Sequence, residues 1–444
     1  MKKITLTKGH NIKISGVPSQ DIVPIKGHEV VGISPSSFKG IKPKLLVSEG
    51  EFVKIGSPLF FDKTKPEVKW ASPANGKVSR IQFGARRSIE KIEINIEGQD
   101  KIKQAPFDIQ KIESSTREQI LKYILDANIF HLIRQRPFNK VANPSDIPRD
   151  IFISGLNTAP LAVNLEKIIT ENREIFQKGL SGLSKLTNGK LYFTSNQNYN
   201  FKDVENNTIS GPHPAGNVGV QIHHLKPLKP GDMIWTINAQ HVITIGKLFD
   251  TGSYDPRMIL SLGGSGSVAP FTAETISCVS IKDLTDNQNL TEQSVRLVSG
   301  DVLTGEKVSS DDYLGFYDSS LTIINDAVKR PFLGMLSLGS SSTKYSLTRT
   351  FLNLTSKLFD FTTAQNGELR AMVPINAWEK MLPLDILPNQ LYRAILAQDI
   401  EEMEQLGIWE CDDEDFALCS FSCPSKIDVG KVIRDGLDLL EAEG

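Results

Sequence analysis

The stretch RDIFISGL, from Arg149 to Leu156, has the character of a strand that is buried on both faces, because its apolar core IFI is short and β-branched. Residues 159–186, which follow, carry apolar side chains at helical spacing. GKLYFTS, from Gly189 to Ser195, then gives a second strand-like run rich in aromatic and β-branched residues. Strand, helix and strand in this order predict an α/β unit with parallel pairing.

The sequence on either side of this unit predicts further domains. From Lys3 to Ile96, short β-like runs punctuated by Gly, Pro and Ser indicate a small β domain. Two more β-rich pieces are expected at Gly231–Phe249 and Pro256–Ile324, the second as a small sheet domain. After Pro331 the tail reads as helical, with an amphipathic segment that ends at Gly407. The last segment places apolar residues on one helical face: Val429, Val432, Ile433, Leu437 and Leu440.

The composition is that of a multi-domain globular protein. A chain of 444 residues exceeds the size at which one hydrophobic core stops growing, so roughly two to four domains are expected. A formal net charge of −2 with interspersed signs argues against nucleic acid as a partner. Neither a secretory signal nor an apolar run long enough to span a membrane is evident. Four cysteines are too few for a disulfide framework, which favours a reducing cytosol.

The spacing Cys419-x3-Cys423-Pro424 matches the end of an iron–sulfur motif of the form C-x2-C-x2-C-x3-C-P. In that register the first two ligand positions hold Asp413 and Phe416, neither of which is a thiolate. Cys411 is out of register and Cys278 is remote. The pattern therefore favours buried structural cysteines, with a bound cluster or zinc, or a redox thiol pair, as alternatives.

Other motifs carry weaker signals. Gly264-x-Gly266-x-x-Ala269 after a strand resembles a dinucleotide fingerprint, but Pro270 and the β-branched residues that follow favour a turn into another strand. No Ser/His/Asp, Cys/His or paired-carboxylate arrangement stands out. The sequence therefore predicts no catalytic residue on this chain.

The stretch GPHPAGNVGVQIHH contains three of the seven histidines of the chain. Its spacing does not fit a zinc site. Its prolines and glycines favour a shaped loop, either a plain one or one that faces a partner or ligand. The residues assigned to this candidate partner-facing or quinone-facing loop are Gly211, His213, Pro214, His223 and His224.

Several segments resemble known families. VSEGEFVKIGSPLFFDKTKPEVKWASPANGKVSRI is similar to biotinyl/lipoyl barrel-sandwich domains, in which a lysine at the position of Lys63 accepts the cofactor; here the segment is short, and a structural hairpin tip is the prediction. The order of domains resembles that of the NADH-binding flavoprotein of respiratory complex I and the C subunit of the Rnf complex. Their glycine-rich flavin loop is replaced here by IFHLIRQRPFNKVANP.

Over nearly its whole length the chain resembles the A-subunit family of the Na+-translocating NADH:quinone oxidoreductases. The matching segments are RQRPFNKVANP, GPHPAGNVGVQIHHL, WTINAQHVITIGKLF, VSGDVLTGEKVSSDDYLGFYDSSLTII and ALCSFSCPSKIDVGKVIRDGLDLLEAEG. The resemblance implies a translocase component that takes part in ubiquinone reduction coupled to sodium export. It implies five partner subunits, chiefly a membrane-embedded one, and flavins and Fe-S centres on those other subunits. No cofactor is expected on this chain beyond a contact with ubiquinone.

The same resemblance implies an α+β multi-domain fold and a peripheral location on the cytoplasmic face of the bacterial inner membrane. The expected domains are a barrel-sandwich (biotinyl/lipoyl-like) domain at 1–100, a Rossmann-like α/β domain at 101–254, a β-grasp (SLBB-like) domain at 255–330 and a helical C-terminal domain with a degenerate Fe-S motif at 331–444. A stand-alone flavin/NADH dehydrogenase and a carrier-type binding module remain the alternatives.

Overall fold

A computed structural model describes residues 1–286, 290, 294–327, 336, 338–339, 342–348, 350–352 and 357–443. The strands are β1 (Lys3–Thr5), β2 (Ile22–Pro24), β3 (Val30–Ile33), β4 (Pro43–Leu45), β5 (Phe52–Val53), β6 (Pro58–Asp62), β7 (Lys65–Ala71), β8 (Gly76–Phe83), β9 (Ile89–Ile96), β10 (Arg134–Arg136), β11 (Lys140–Val141), β12 (Ile151–Ser154), β13 (Leu191–Ser195), β14 (Glu205–Ser210), β15 (Ile234–Asn238), β16 (Arg257–Gly263), β17 (Phe271–Ile276), β18 (Val295–Ser299), β19 (Glu306–Val308) and β20 (Ser320–Asn325). The helices are α1 (Ile109–Ser114), α2 (Arg117–Asp126), α3 (Leu165–Glu171), α4 (Arg173–Ser184), α5 (Val218–Leu225), α6 (Ala239–Thr251), α7 (Ile281–Thr285), α8 (Pro388–Ala397), α9 (Ile400–Gln405), α10 (Ala417–Ser422) and α11 (Val429–Glu443).

The N-terminal β domain consists of two small sheets packed face to face. One has the strand order β3-β9-β8-β5 and the other has the order β4-β6-β7. Alternating residues of both sheets point inward, and Phe60, Val68 and Trp70 are buried between them. This is the barrel-sandwich arrangement that the sequence predicts.

The α/β domain is built on a seven-stranded sheet with the order β1-β14-β13-β12-β15-β10-β11. β12 pairs with β13 in parallel, which confirms the parallel unit predicted from RDIFISGL and GKLYFTS. Helix α5 packs on one face of this sheet, where Phe152 contacts Ile222. Helices α3, α4 and α6 pack together, and their apolar side chains share a core with Phe193 and Trp235.

One sequence prediction within this domain is wrong. The pattern of Gly231–Phe249 predicts a β-rich piece throughout, but only Ile234–Asn238 is a strand, and α6 follows it at once. The Asn238 side chain caps the helix by accepting a hydrogen bond from the Gln240 backbone, and Gly252 ends it in the left-handed conformation. Because α6 is buried on most sides, its apolar residues do not show the helical period that distinguishes a helix from a strand.

The third sheet has the order β19-β18-β20-β16-β17-β2. β16 and β17 pair antiparallel across the turn that contains Gly264 and Gly266, so the prediction of a turn into another strand is confirmed. The first 24 residues, called the N-terminal arm below, do not join the barrel sandwich. Within this arm β1 pairs with β14 of the α/β sheet and β2 pairs with β17 of the third sheet, although the sequence pattern places both in the first domain.

The C-terminal region is helical from α8 onward, whereas residues 357–387 have no regular helix. Gly407 ends the α9 segment with a φ of 87°, as its position in the sequence predicts. Helix α11 buries Val429, Ile433, Leu437 and Leu440 in a core that also receives Ile4 of β1 and Val220 of α5. Among the described residues, no helix combines the length and the apolar character needed to cross a bilayer.

Candidate functional site

The α/β sheet has a topological switch point at β12. The chain places β13 on one side of this strand and β15 on the other, so a crevice opens at their carboxyl ends, where open α/β sheets bind ligands. The loops after β12 and β14 meet at this edge. The Thr158 hydroxyl lies 3.2 Å from Nδ1 of His213 and accepts a hydrogen bond of 2.8 Å from the Gly216 backbone.

The N-terminal arm covers the loop that follows β14. The His213 backbone N–H donates to the Asn11 side chain at 2.8 Å, and its carbonyl accepts from the His10 backbone at 2.8 Å. His213 is 4% exposed, and Pro214 is buried beside it. The chain's own arm therefore covers this side of the loop, and the facing of a partner or quinone by His213 and Pro214 stays a prediction.

The other predicted loop residues have different surroundings. Gly211 is exposed with a φ of 143°, and an added Cβ would lie 2.7 Å from the Leu6 side chain. His223 accepts at Nε2 from the Asp385 backbone, so its Nδ1 carries the proton and faces Glu410 Oε2 at 2.6 Å. His224 Nε2 lies 3.0 Å from the Pro383 carbonyl. Both histidines therefore connect α5 to the C-terminal region. That they also face a partner or a quinone stays a prediction.

Beside α5, a buried cluster of charges joins the β10–β11 hairpin to the C-terminal region. The Arg136 side chain is 2% exposed and lies 3.0 Å from Asp412, 2.5 Å from Glu414 and 3.3 Å from Asp415. Arg434 of α11 pairs with the Asp412 carboxylate as well. We call these five residues the charge clamp. Burial of so many charges is tolerated only because each one has an opposite charge within contact distance.

The Asp415 side chain of the clamp lies at the N-terminus of α5, a position that favours an anion. Asp415 Oδ1 accepts a 3.1 Å hydrogen bond from the side chain of Asn217, the residue before the helix. Position 219 must be glycine here, because an added Cβ would lie 2.0 Å from Asp415 Oδ2. A helix N-terminus and a guanidinium are both favourable for an anion, and in this chain the anion is its own Asp415 carboxylate.

The turn of the β10–β11 hairpin is held in an unusual conformation by the same C-terminal region. Phe138 has a φ of 74°, which is uncommon for a bulky residue. Its ring meets Trp409 edge to face at 5.9 Å, and its carbonyl accepts a 2.9 Å hydrogen bond from Arg434 Nη1. The strain is thus held in place by contacts across the interface between the α/β domain and the C-terminal region.

Protonation within the charge clamp is uneven. Burial raises the pKa of Asp412 to about 8 and that of Asp415 to about 7, although the adjacent Arg136 opposes both shifts. Asp413 lies next to Arg434 and Lys39, and despite its partial burial its hydrogen bonds and these cations hold its pKa below the ordinary range. The acidic residues outnumber the basic ones, so the clamp retains protons at neutral pH.

We expect the contribution of Asp415 to stability to fall as the pH rises. Unfolded carboxyls titrate near ~4, so between about pH 4 and about pH 7 the folded chain holds a proton that the unfolded chain has released. The contribution is complete below the unfolded pKa and is lost as the pH passes the folded one. The stability advantage of the wild type over Asp415→Asn should shrink by at least ~1 kcal/mol from about pH 5 to about pH 8 in urea unfolding.

The exposed pair of Lys122 and Asp126 on α2 supplies the control for this pH series. Asp126→Asn should leave the slope of stability against pH unchanged, because the exposed ion pair contributes little to stability. An advantage of the wild type that stays constant between about pH 5 and about pH 8 would show that Asp415 is ionised in the folded state throughout.

The comparison with known proteins extends over the full length of the chain. The chain is 37% identical to the A subunit of the Na(+)-translocating NADH-quinone reductase of Pasteurella multocida. The alignment spans 448 residues and covers 99% of this chain and 100% of that protein. The corresponding protein of Vibrio anguillarum is 38% identical with the same coverage. The chain belongs to the NqrA family.

Three models of NqrA domains match consecutive parts of the chain. The N-terminal barrel-sandwich hybrid domain matches residues 4–97, the second alpha/beta domain matches residues 115–254, and the NQRA C-terminal domain matches residues 259–310. The α+β multi-domain fold class expected from the sequence, with its barrel-sandwich, α/β and SLBB parts, is confirmed. Among solved structures, an NAD+-reducing NiFe hydrogenase in the H2-reduced state shares 9% identity, covers 78% of this chain and 67% of its own, and has a TM-score of 0.39.

In this NqrA-family chain the cysteines of the C-terminal motif are buried, as predicted. Cys419 donates to the Trp378 carbonyl and Cys411 to the Gly407 carbonyl, and burial raises the pKa of both thiols. Asp413, which takes a ligand position of the degenerate motif, pairs with Lys39 and Arg434 instead. Within the described ranges, no group of three or more His, Cys, Asp or Glu side chains could hold a metal ion.

Lys63 lies exposed in the turn between β6 and β7 of the barrel sandwich, at the hairpin tip predicted for it. The carboxylate of the preceding Asp62 braces this turn by accepting hydrogen bonds from the Thr64 and Lys42 backbones at 3.0 and 2.9 Å. The geometry is that of a structural hairpin tip.

Sequence reasoning missed the charge clamp entirely. Arg136 and Glu414 are 278 positions apart, and no spacing rule relates an edge hairpin to a distant acidic run. The one available signal was the run DDED at Asp412–Asp415, which is unusual directly before an apolar helix. Such a run of acidic residues indicates a partner of opposite charge, but not its position in the chain.

Proposed function

We propose that this chain serves as the A subunit of a Na+-translocating NADH:ubiquinone oxidoreductase, peripheral to the bacterial inner membrane on its cytoplasmic face. The observation that carries the proposal is the similarity to A-subunit proteins over the entire length of both chains. We further propose that the chain has five partner subunits and is held mainly by contact with a membrane-embedded one. Electron transfer then takes place on those partners, and this chain contributes to ubiquinone reduction without a catalytic residue of its own.

We also propose that flavin and Fe-S centres reside on the partners. The support comes from the region where a flavin loop would be expected by comparison with the complex I flavoprotein. There the chain has the β10–β11 hairpin, and its Arg136 guanidinium is engaged by three carboxylates. A phosphate at this position would have to displace the carboxylates of the chain itself. The same observation disfavours a stand-alone flavin/NADH dehydrogenase.

Two measurements test the proposal. An affinity-tagged chain, expressed in its native host, should co-purify with the other subunits and with NADH:quinone reductase activity that depends on Na+. The chain purified alone should show no flavin or Fe-S absorption and no binding of NADH. Stoichiometric flavin on the isolated chain would favour the dehydrogenase, and a chain that purifies alone from its native host would favour the carrier-type binding module.

A further inference from the structure

Positive charge is concentrated in two separate stretches of the sequence. Residues 1–20 contain Lys2, Lys3, Lys8 and Lys13 and no acidic residue, and residues 327–359 contain five basic and no acidic residues. The whole chain has a net charge of −2, so the rest of the molecule is strongly acidic. The whole-chain charge therefore conceals two cationic segments.

The fold brings described parts of these two stretches together. The Phe359 backbone donates to the Lys13 carbonyl at 2.8 Å, and the Ser15 backbone donates to the Phe359 carbonyl at 2.9 Å. Asp360, the first acidic residue beyond the second stretch, accepts hydrogen bonds of 2.6 Å from Ser15 and from Ser342. The N-terminal arm and the segment around Phe359 are thus hydrogen-bonded to each other, and the Asp360 carboxylate accepts from hydroxyl groups of both.

An apolar cleft of about 330 Å³ opens on this face between the arm, the loop before α3 and the third sheet. At its lining, Val17 is 51% exposed and Leu358 is 44% exposed, and the exposed Lys13 lies beside them. Leu161 also lines the cleft and has a φ of 60°, a conformation that is costly for leucine and is often found at ligand sites. The further apolar lining residues are Ile12, Ile14, Ile22, Ile168 and Ile259.

A second groove lies beside the arm at Thr7 and Lys8. It is lined by Lys8 and Lys380 together with Leu387, which is 55% exposed. Glu379 also lines this groove, and one of its carboxylate oxygens accepts a hydrogen bond from Asn389. The arm therefore contributes a lysine to each of two clefts whose margins expose aliphatic side chains.

Lysines interspersed with exposed aliphatic residues suit one kind of partner in particular. Anionic phospholipids attract each lysine near their headgroups, and valine or leucine side chains enter the boundary between headgroups and acyl chains. A nucleic acid would call for aromatic residues on which bases stack, and the exposed side chains here are aliphatic.

We propose that this face binds the anionic surface of a lipid bilayer, with phosphate groups at Lys8, Lys13 and Lys380. Val17 and Leu358 enter the headgroup boundary, and the apolar cleft receives part of an acyl chain. The proposal goes beyond membership of the enzyme complex, because it gives the chain a lipid contact of its own in addition to contacts with protein.

Flotation of the purified full chain with vesicles tests the proposal directly. Binding to mixed phosphatidylcholine and phosphatidylglycerol vesicles should exceed binding to phosphatidylcholine alone and should weaken as salt is added. Removing both charges in Lys8→Ala/Lys13→Ala should lower the partition coefficient roughly 20-fold, since each lysine contributes about fivefold. Val17→Ser/Leu358→Ser should weaken binding without abolishing its salt dependence.

The barrel sandwich provides a matched control, because Lys77 and Phe83 are exposed there on β8. Lys77→Ala/Phe83→Ser should bind anionic vesicles like the wild type. Equal binding to both kinds of vesicle, or wild-type binding by Lys8→Ala/Lys13→Ala, would overturn the proposal. So would failure to bind vesicles together with crosslinking of position 13 to another protein of the complex, which would make the face a protein interface. Binding to vesicles does not bear on membership of the complex, which co-purification tests separately.

Discussion

Replacing Arg136 by methionine is expected to lower the free energy of unfolding by about 3–5 kcal/mol above about pH 8, where Asp412 and Asp415 are ionised, because it leaves buried carboxylates without their counter-charge. Asp412 and Asp415 are each 1% exposed, so water cannot replace the guanidinium. The contacts that hold the C-terminal region against the α/β domain would weaken together with the clamp. Urea unfolding gives the change in free energy, and limited proteolysis should show faster cleavage of the C-terminal region from α8 onward.

An exposed ion pair tests whether burial is the cause of this loss. Lys122 and Asp126 form an i,i+4 pair on the surface of α2. Lys122→Met should therefore cost no more than about 0.5 kcal/mol. If Arg136→Met were as mild as Lys122→Met at that pH, the clamp would not hold the C-terminal region against the α/β domain.

Phe38→Ala is expected to cost about 3–5 kcal/mol, the range for emptying a buried aromatic site. Phe38 is 3% exposed and lies at the junction of three domains. Its ring centroid is 5.2 Å from that of Trp70 in the barrel sandwich, 5.6 Å from that of His131 in the α/β domain and 5.1 Å from that of Phe316 beside the third sheet. Loss of this ring removes contacts to all three domains, so the thermal unfolding transition should broaden as well as shift.

Phe83 of the same domain is the matched control, since its ring is 53% exposed. Phe83→Ala should change the free energy of unfolding by less than about 0.5 kcal/mol. A cost for Phe38→Ala that is equally small would mean that the three domains are held together elsewhere, with the charge clamp as the first alternative.

The parts of this fold that could be predicted from the sequence are those in which local pattern and tertiary environment agree. IFIS at β12 and LYFTS at β13 are short apolar runs that only a doubly covered parallel sheet accommodates, and α11 shows a clear helical stripe. The turn at Gly264 was predictable because Pro270 is incompatible with a helix that opens there.

The parts that could not be predicted depend on contacts between distant residues. Helix α6 is apolar on most faces, so its sequence lacks the helical spacing of apolar residues that would distinguish it from a strand. Its packing against the sheet decides that the segment is a helix. The short strand β2 owes its existence to pairing with β17, which lies about 250 positions later. His213 has the local sequence of a surface residue because its neighbours are Pro and Gly, and only the docking of Asn11 buries it.

The N-terminal arm imposes an order on the biosynthesis of the protein. Its β1 pairs with Thr208–Ser210, its β2 pairs with Thr272–Glu274, and Ser15 bonds to Phe359. The arm therefore leaves the ribosome well before the residues it pairs with, since those partners lie about 200 to 345 positions later in the chain. During synthesis the arm is a nascent segment with unpaired backbone groups and exposed isoleucines, which is the type of segment that chaperones hold. Docking of the N-terminal arm is thus a late step in the folding of the molecule.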